Sequence, residues 1–301
     1  MSQQAGIYQG SKGPLSQRET LMGSSVRRER IQQIAIYSMI AVVFVVSLLP
    51  FYAMLINATR TTSEINRGLA LLPSDALARN WVSLTSRVDI LAGLRNSLFV
   101  VSSAVVVSSY VSALCAFGFA FYRFRGRTVL FILVIAMMMI PPQIGIIGLY
   151  DFARILGLLD TYTILIVPFV ANPLFVFFLR QYTRSVMPRA LIDAALMDGA
   201  GNLRMFHSIA LPLMMPGIAT MAIFAFVAIW NNYILPLVVT FSSDRYVLPL
   251  IIASLNTTTH RRDFGAIYLA VAVSVVPVLI VFVFLQRYLI QGVTVGGVQG
   301  E

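Results

Sequence analysis

A single cysteine, Cys115, rules out an intramolecular disulfide, so nothing in the fold requires an oxidising compartment. Two histidines, His207 and His260, beside that one cysteine cannot assemble a structural zinc set. Charge is scarce as well. Only 11% of residues are Asp, Glu, Lys or Arg, where soluble domains carry about 25%. Lys12 is the only lysine, and no G-x-x-x-x-G-K-[ST] phosphate loop occurs, so the chain cannot hold ATP by that means. The net charge of +10 comes from arginines scattered between apolar runs. Without a basic stripe interleaved with aromatics it does not describe a nucleic-acid surface, and the arginines read as charges flanking membrane lipid.

What the chain does have is oil. Hydrophobic residues make up 58% and the mean hydropathy is +0.83, which describes a multi-pass membrane protein of the all-α kind. Residues 1–33 are rich in Gln, Ser, Gly and Arg and are expected to form a disordered tail. Ile34 to Ile56 then runs apolar far enough to cross a hydrocarbon core and is expected to be a retained anchor. Five more runs follow: Asn96 to Phe121, Val129 to Tyr150, Tyr162 to Leu179, Leu213 to Thr240 and Phe264 to Leu285. Six transmembrane helices put both termini on one side, and the tight loop of Arg123, Arg125 and Arg127 favours the cytoplasm for that side.

None of the six runs contains an Asp, Glu, Lys, Arg or His. That disfavours a proton-driven carrier, which needs an intramembrane titrating group, and an intramembrane hydrolase, which needs a base beside its nucleophile. A self-powered secondary carrier holding sodium on broken-helix carbonyls stays open. In the second run Ser102, Ser103, Ser108, Ser109, Ser112, Ala113, Ala116 and Gly118 suit a close helix-packing face, with a polar solute path as the alternative.

One stretch between the fourth and fifth runs is built differently. Pro188 suits a helix start, and Arg189 to Met197 reads as a short helix. Asp198-Gly199 breaks it, glycine accepting a left-handed conformation. From Asn202 a second short helix is expected, with Leu203, Phe206 and Ile209 spaced as one apolar face and Pro212 marking the turn into the next run. An amphipathic linker on lipid headgroups would be more basic. The elbow fits a protein partner better.

Asp193, Ala194, Ala195, Asp198, Gly199, Ala200, Phe206, Ile209, Leu211 and Pro212 fall on a pattern that closely resembles the cytoplasmic signature of binding-protein-dependent ABC importer permeases: Glu-Ala-Ala, two residues, Asp-Gly-Ala, five residues, Phe, two residues, Ile, one residue, Leu-Pro. Only the first acid departs, Asp for Glu. "LGLLDTYTILIVP" (156–168), "LRQY" (179–182), "WNNYILPL" (230–237) and "QRYLIQGVTVGGVQG" (286–300) are similar to the carbohydrate branch, in particular its maltose-type second permease, although Gln299 stands where lysine is common. The likeness spans about residues 34–300, read as one type I transmembrane domain.

The resemblance implies a plasma (inner) membrane permease subunit that moves a carbohydrate, a di- or oligosaccharide, by alternating access. Glycerol-phosphate and polyol cargoes use the same branch. Its partners would be a second homologous permease, a cytoplasmic ABC ATPase dimer that supplies the ATP and Mg chemistry, and an extracytoplasmic solute-binding protein. No cofactor would bind this chain, and it would not itself be an enzyme. The segment 188–212 would be the coupling elbow, with Leu203 added to its docking set. Asn172, Trp230, Asn231, Asn232 and Tyr233 offer hydroxylated cargo amide and aromatic contacts, or serve as interhelical glue. Asn256, Thr257, Thr258 and Thr259, in the outside connection Phe241 to Asp263, would face the binding protein, unless they form an ordinary solvated loop.

Overall fold

The structure, a computed structural model, describes residues 14–257 and 262–297, with side chains described over 30–256 and 262–288. Every element among the described residues is helical. The chain divides after Leu55. The first unit is the greater part of one helix, α1 (Pro14–Ala58), whose stretch Arg30–Ala58 is apolar enough to cross a bilayer. Helix thus replaces the disordered tail expected for residues 14–33, while 1–13 lie outside the described residues. Leu, Gln, Arg, Glu and Met are good helix formers, and extending an existing helix avoids the cost of nucleation.

The second unit begins at Ile56. It runs through α2 (Thr62–Asn66), α3 (Leu77–Arg87), α4 (Ile90–Phe121), α5 (Arg127–Met138), α6 (Ile146–Ile155), α7 (Tyr162–Ile166) and α8 (Pro173–Val186). Then come α9 (Arg189–Met197), α10 (Asn202–Met205), α11 (Leu211–Trp230), α12 (Ile234–Val239), α13 (Leu248–Thr257) and α14 (Phe264–Gly297). Four helical stretches are long and apolar enough to span a membrane on their own: that in α1, α4, Asn202–Trp230 and the Phe264–Tyr288 part of α14. Two expected runs are bent instead. The pair Arg127–Met138 and Pro142–Ile155 turns by 97°, and Tyr162–Phe169 and Pro173–Val186 by 42°, so the spans number four, or up to six if each bent pair counts as one. Pro141-Pro142 and Pro173 stand at the breaks, each removing a backbone donor.

At the second break the side chain of Asn172 repairs the loss by accepting from Leu174 N at 3.0 Å and Phe175 N at 3.3 Å. The run expected from Leu213 to Thr240 is interrupted too. Helix α11 stops at Trp230, and Asn232 Oδ1 accepts from Leu235 N at 3.2 Å to start α12.

Helix α4 is the centre of the unit, packing against α8, α11 and α13, while α14 lies on α11 and α3. Small side chains make this close approach possible. Ser108, Ser109, Ser112, Ala113 and Ala116 are buried on one stripe of α4, whereas Ser102 faces outward and bonds its own helix at Leu98 O, 2.6 Å. The Oγ atoms of Ser108, Ser109 and Ser112 have no hydrogen-bond partner among the described residues, so the stripe is a packing face. The same logic holds between α11 and α8. A Cβ on Gly217 would stand 2.6 Å from Tyr182 Cδ1 and 2.8 Å from its Cγ.

Gly217→Ala should therefore force the Tyr182 ring aside and destabilise the subunit by about 1–3 kcal/mol, the usual cost of overpacking. A lowered Tm in detergent would show it; an unchanged Tm would mean the ring has room to move.

The elbow and its surroundings

The segment after α8 turns on backbone bonds alone. Asp198 N donates to Ala194 O at 3.0 Å, Gly199 N to Leu196 O at 3.0 Å, and Ala200 N to Ala195 O at 2.9 Å. The last two bonds form a Schellman closure of α9, which demands a left-handed residue after the cap. Gly199 supplies it with φ +74°. Ala195 is buried and Ala200 packs against the same cluster, so the two alanines make the apolar contact that accompanies this closure. Thus Ala195, Gly199 and Ala200 in the Ala-Ala-x-x-Asp-Gly-Ala run each have a mechanical reason. Asp193 and Asp198 are exposed, and Asp193 makes no hydrogen bond or ion pair with the described residues.

After Gly201 the chain enters α10, then a π-helical turn, Phe206–Ala210, in which Leu211 N reaches back to Phe206 O. Pro212 has no N–H to offer Ser208, and the ladder widens just ahead of it. The wider turn rotates the residues along it relative to an α-helical course. Leu203, Phe206 and Ile209 consequently do not share one exposed face, as expected from their spacing. Phe206 is only 1% exposed and lies edge-on or tilted against Tyr110, Phe117 and His207, all within this chain. Ile209 is half-buried, and Pro212 sits in the first turn of α11. The most uncovered apolar side chains of the elbow are Met197 (89% exposed), Leu203 (67%) and Leu196 (51%), with Leu191 less so.

Three hydrogen bonds tie the second half of the elbow together and to the end of α4. Tyr110 Oη lies 3.0 Å from His207 Nε2, His207 Nδ1 lies 2.8 Å from Leu203 O, and Tyr122 Oη donates to Asn202 Oδ1 at 2.9 Å. Sequence reasoning missed both tyrosines, which carry no motif.

The candidate cargo residues lie elsewhere. Trp230 is 3% exposed, stacks on Phe226 at 5.4 Å and donates from Nε1 to Ser274 O at 3.1 Å, joining α11 to α14. That burial leaves almost none of the ring to a solute and makes Trp230 interhelical glue. Asn172 and Asn232 cap helices, and Asn231 donates to Val227 O at 2.8 Å within its own helix; Tyr233 keeps an exposed ring. The crevice beside Trp230 and Asn232 has room for about one water, far below what a sugar ring needs.

The end of the unit remote from the elbow is polar and tightly built. Asp160, itself at φ +56°, accepts from Phe241 N at 3.0 Å, Ser242 N at 3.1 Å and the Ser242 hydroxyl. The Ser242 hydroxyl, those amides and the Arg245 charge hold its carboxyl below the usual range against the opposing effect of burial. Burial likewise pushes the Asp263 carboxyl up, but bonds from Ser83 Oγ, Ala266 N and Thr62 Oγ1, with the Arg87 charge, bring it below its ordinary value. The connection Phe241 to Asp263, expected outside, is partly helical rather than a loop: α13 extends through Asn256 and Thr257. Asn256 is exposed, the Thr257 side chain is not described, and Thr258 and Thr259 lie outside the described residues.

A helical membrane subunit carrying an exposed, backbone-locked elbow is the architecture of an ABC importer permease. Residues 108–295 match the family described as binding-protein-dependent transport system inner membrane component, and the chain belongs to that family. It is 35% identical over 259 residues to the arabinooligosaccharides transport system permease protein of Halalkalibacterium halodurans, covering 85% of this chain and 92% of that protein. A diacetylchitobiose uptake system permease protein of Streptomyces coelicolor is 32% identical over 84% of each chain. A chain from the crystal structure of a bacterial ABC transporter that imports the acidic polysaccharide alginate shares the fold, with a TM-score of 0.76 over 87% of this chain and 98% of that one, at 22% identity. The protein is thus an inner-membrane component of an ABC importer, a non-catalytic membrane subunit.

Two substitutions separate geometry from packing here. A Cβ added at Gly199 meets nothing within 4 Å, so the cost of Gly199→Val comes chiefly from the left-handed backbone, about 1–2 kcal/mol; uptake should fall with only a modest drop of Tm in detergent, and normal uptake would show that the turn tolerates another conformation. Phe206→Ala empties a buried site and should cost about 3–5 kcal/mol of the subunit's own stability, read as a large fall in Tm; an unchanged Tm would place Phe206 outside the core.

Proposed function

We propose that this chain is the permease of an ATP-driven importer for a di- or oligosaccharide, docking a cytoplasmic ABC ATPase dimer through the elbow 188–212. The observation that carries the reading is the Schellman-closed turn with Met197, Leu203 and Leu196 uncovered on it. Three such side chains held out on a rigid turn suit a protein groove, since burying each removes apolar surface worth about 1.5–3 kcal/mol. With no phosphate loop of its own, the chain takes its energy from that partner. ATP is cytoplasmic, so the elbow marks the cytoplasmic side, and with six spans both termini lie there too.

The sugar cargo is supported by the relatives, whose names specify arabinooligosaccharides and diacetylchitobiose. A second homologous permease supplies the rest of the pathway, in keeping with a crevice at Trp230 that fits about one water. The extracytoplasmic binding protein approaches the opposite end, where Asp160 and Asp263 fix the segments around α13. ATP-driven closure of the ATPase dimer then moves the elbow, and through Tyr110 and Tyr122 the end of α4, turning the cavity from one side to the other.

The reading is tested by Met197→Asp and Leu203→Asp in the assembled transporter. Both positions are exposed, so Tm of the free subunit should hold. Affinity for the ATPase should drop about tenfold to a hundredfold per side chain, and oligosaccharide uptake should fall in proportion. Co-purification of the ATPase at wild-type yield from both variants would remove the elbow as its docking site.

A further inference from the structure

Between the end of α1 and the start of α4 lies a connection that the transport reading does not use, and it is held with unusual care. Arg60 is a buried cation, 8% exposed, spent on neutral acceptors: Gly68 O at 3.1 Å, Glu64 O at 2.7 Å and Asn57 Oδ1 at 3.4 Å. A capping box closes the start of α2, Glu64 N to Thr61 Oγ1 at 3.3 Å and Thr61 N to Glu64 Oε2 at 2.7 Å. Ser74 then ties the returning strand of chain to Glu64 Oε1 at 3.0 Å, and Ser74 N donates to Thr59 Oγ1 at 2.9 Å. Both ends of the loop 68–74 are therefore pinned. What it presents is apolar: Leu69 is 93% exposed and Leu72 is exposed beside it.

Helix α3 continues the pattern. Its inward face is Asn80 and Leu84, both buried. Leu77, Trp81 and Val82 are uncovered on one flank, while Arg79 and Ser86 stand on the other. The level of this helix is set by Asn80. Its Nδ2 donates to Ala58 O at 2.8 Å and Arg60 O at 3.0 Å, and a Cβ on Gly265 would fall 2.5 Å from Arg60 O and 2.6 Å from Asn80 Nδ2. Ala58 is the last residue of one candidate span, and Gly265 is the second of another. Asn80 thus sits where two candidate spans come to their ends.

We propose that the segment 69–82 is an interfacial anchor, dipping Leu69, Leu72, Leu77, Trp81 and Val82 into the lipid leaflet remote from the elbow. A tryptophan at the boundary, leucines toward the hydrocarbon and arginine on the opposite flank are the arrangement that binds a helix in the plane between headgroup and acyl chain. The occupant is lipid rather than a protein because Asn80, on the same helix as Leu77, Trp81 and Val82, bonds the carbonyl of Ala58, where a candidate span ends. The buried guanidinium makes the loop rigid, so the ends of α1 and α14 keep a fixed depth while the elbow end of the bundle moves.

The experiment uses nitroxide labels on the full chain in its assembled, reconstituted transporter, with Cys115→Ser as background. Labels at Leu72→Cys and Val82→Cys should collide more with oxygen than with a water-soluble nickel chelate, and a label at Arg79→Cys should show the reverse. Nickel access at 72 and 82 would place the face in water, and shielding from both reagents would place it against a protein partner; either result overturns the proposal. Should a labelled chain fail to assemble, Trp81 provides a second reading. With Trp230→Phe it is the chain's only tryptophan, and in vesicles its emission should be blue-shifted and quenched most by phospholipids brominated near the headgroup. Red-shifted emission quenched by iodide instead would refute the anchor.

Discussion

In a bilayer a backbone amide without a partner finds no water to bond, and an unmade bond there costs several kcal/mol. That constraint organises this molecule. Continuous helix is the default answer, and three of the interruptions carry their own repair. Where proline breaks the chain before α8, the side chain of Asn172 takes over two amides. Where α11 stops at Trp230, Asn231 and Asn232 bond Val227 O and Leu235 N. At the elbow, backbone meets backbone across a left-handed glycine. The polar side chains of the apolar regions are thus committed largely to holding the chain's own backbone and joining its helices.

The elbow illustrates how one sequence pattern carries two kinds of information. Ala195, Ala200 and Phe206 look inward, and Gly199 supplies the left-handed backbone of the turn. Asp193, Met197, Asp198 and Leu203 look outward and make no part of the fold's core. The π turn ahead of Pro212 starts at Phe206 and carries the chain from the elbow into α11.

Composition and hydropathy suffice to read a helical membrane protein, and the elbow stands out through Asp198-Gly199 and Pro212. Direction is less legible. Hydropathy reports that Val129 to Tyr150 is oily and is blind to a right-angle bend at Pro141-Pro142. A spacing argument assumes an α-helical period, so the wider turn at 206–210 misplaced Phe206. Trp230 offers an aromatic face on paper, yet Phe226 and Ser274 O already hold it. The Arg60 cluster had one local sign, the Thr61 to Glu64 capping box; its long-range members, Asn80 and Asp263, meet only in three dimensions.

The Schellman closure at Gly199 has an evolutionary corollary. Its bonds run between main-chain atoms, so the shape of the turn is indifferent to what stands at positions 193, 197 and 203. Those sites can change while the angle of the joint stays intact. On the docking proposed above, such a joint would let an importer change the motor it recruits without redesigning the lever, much as a common fitting accepts many couplings.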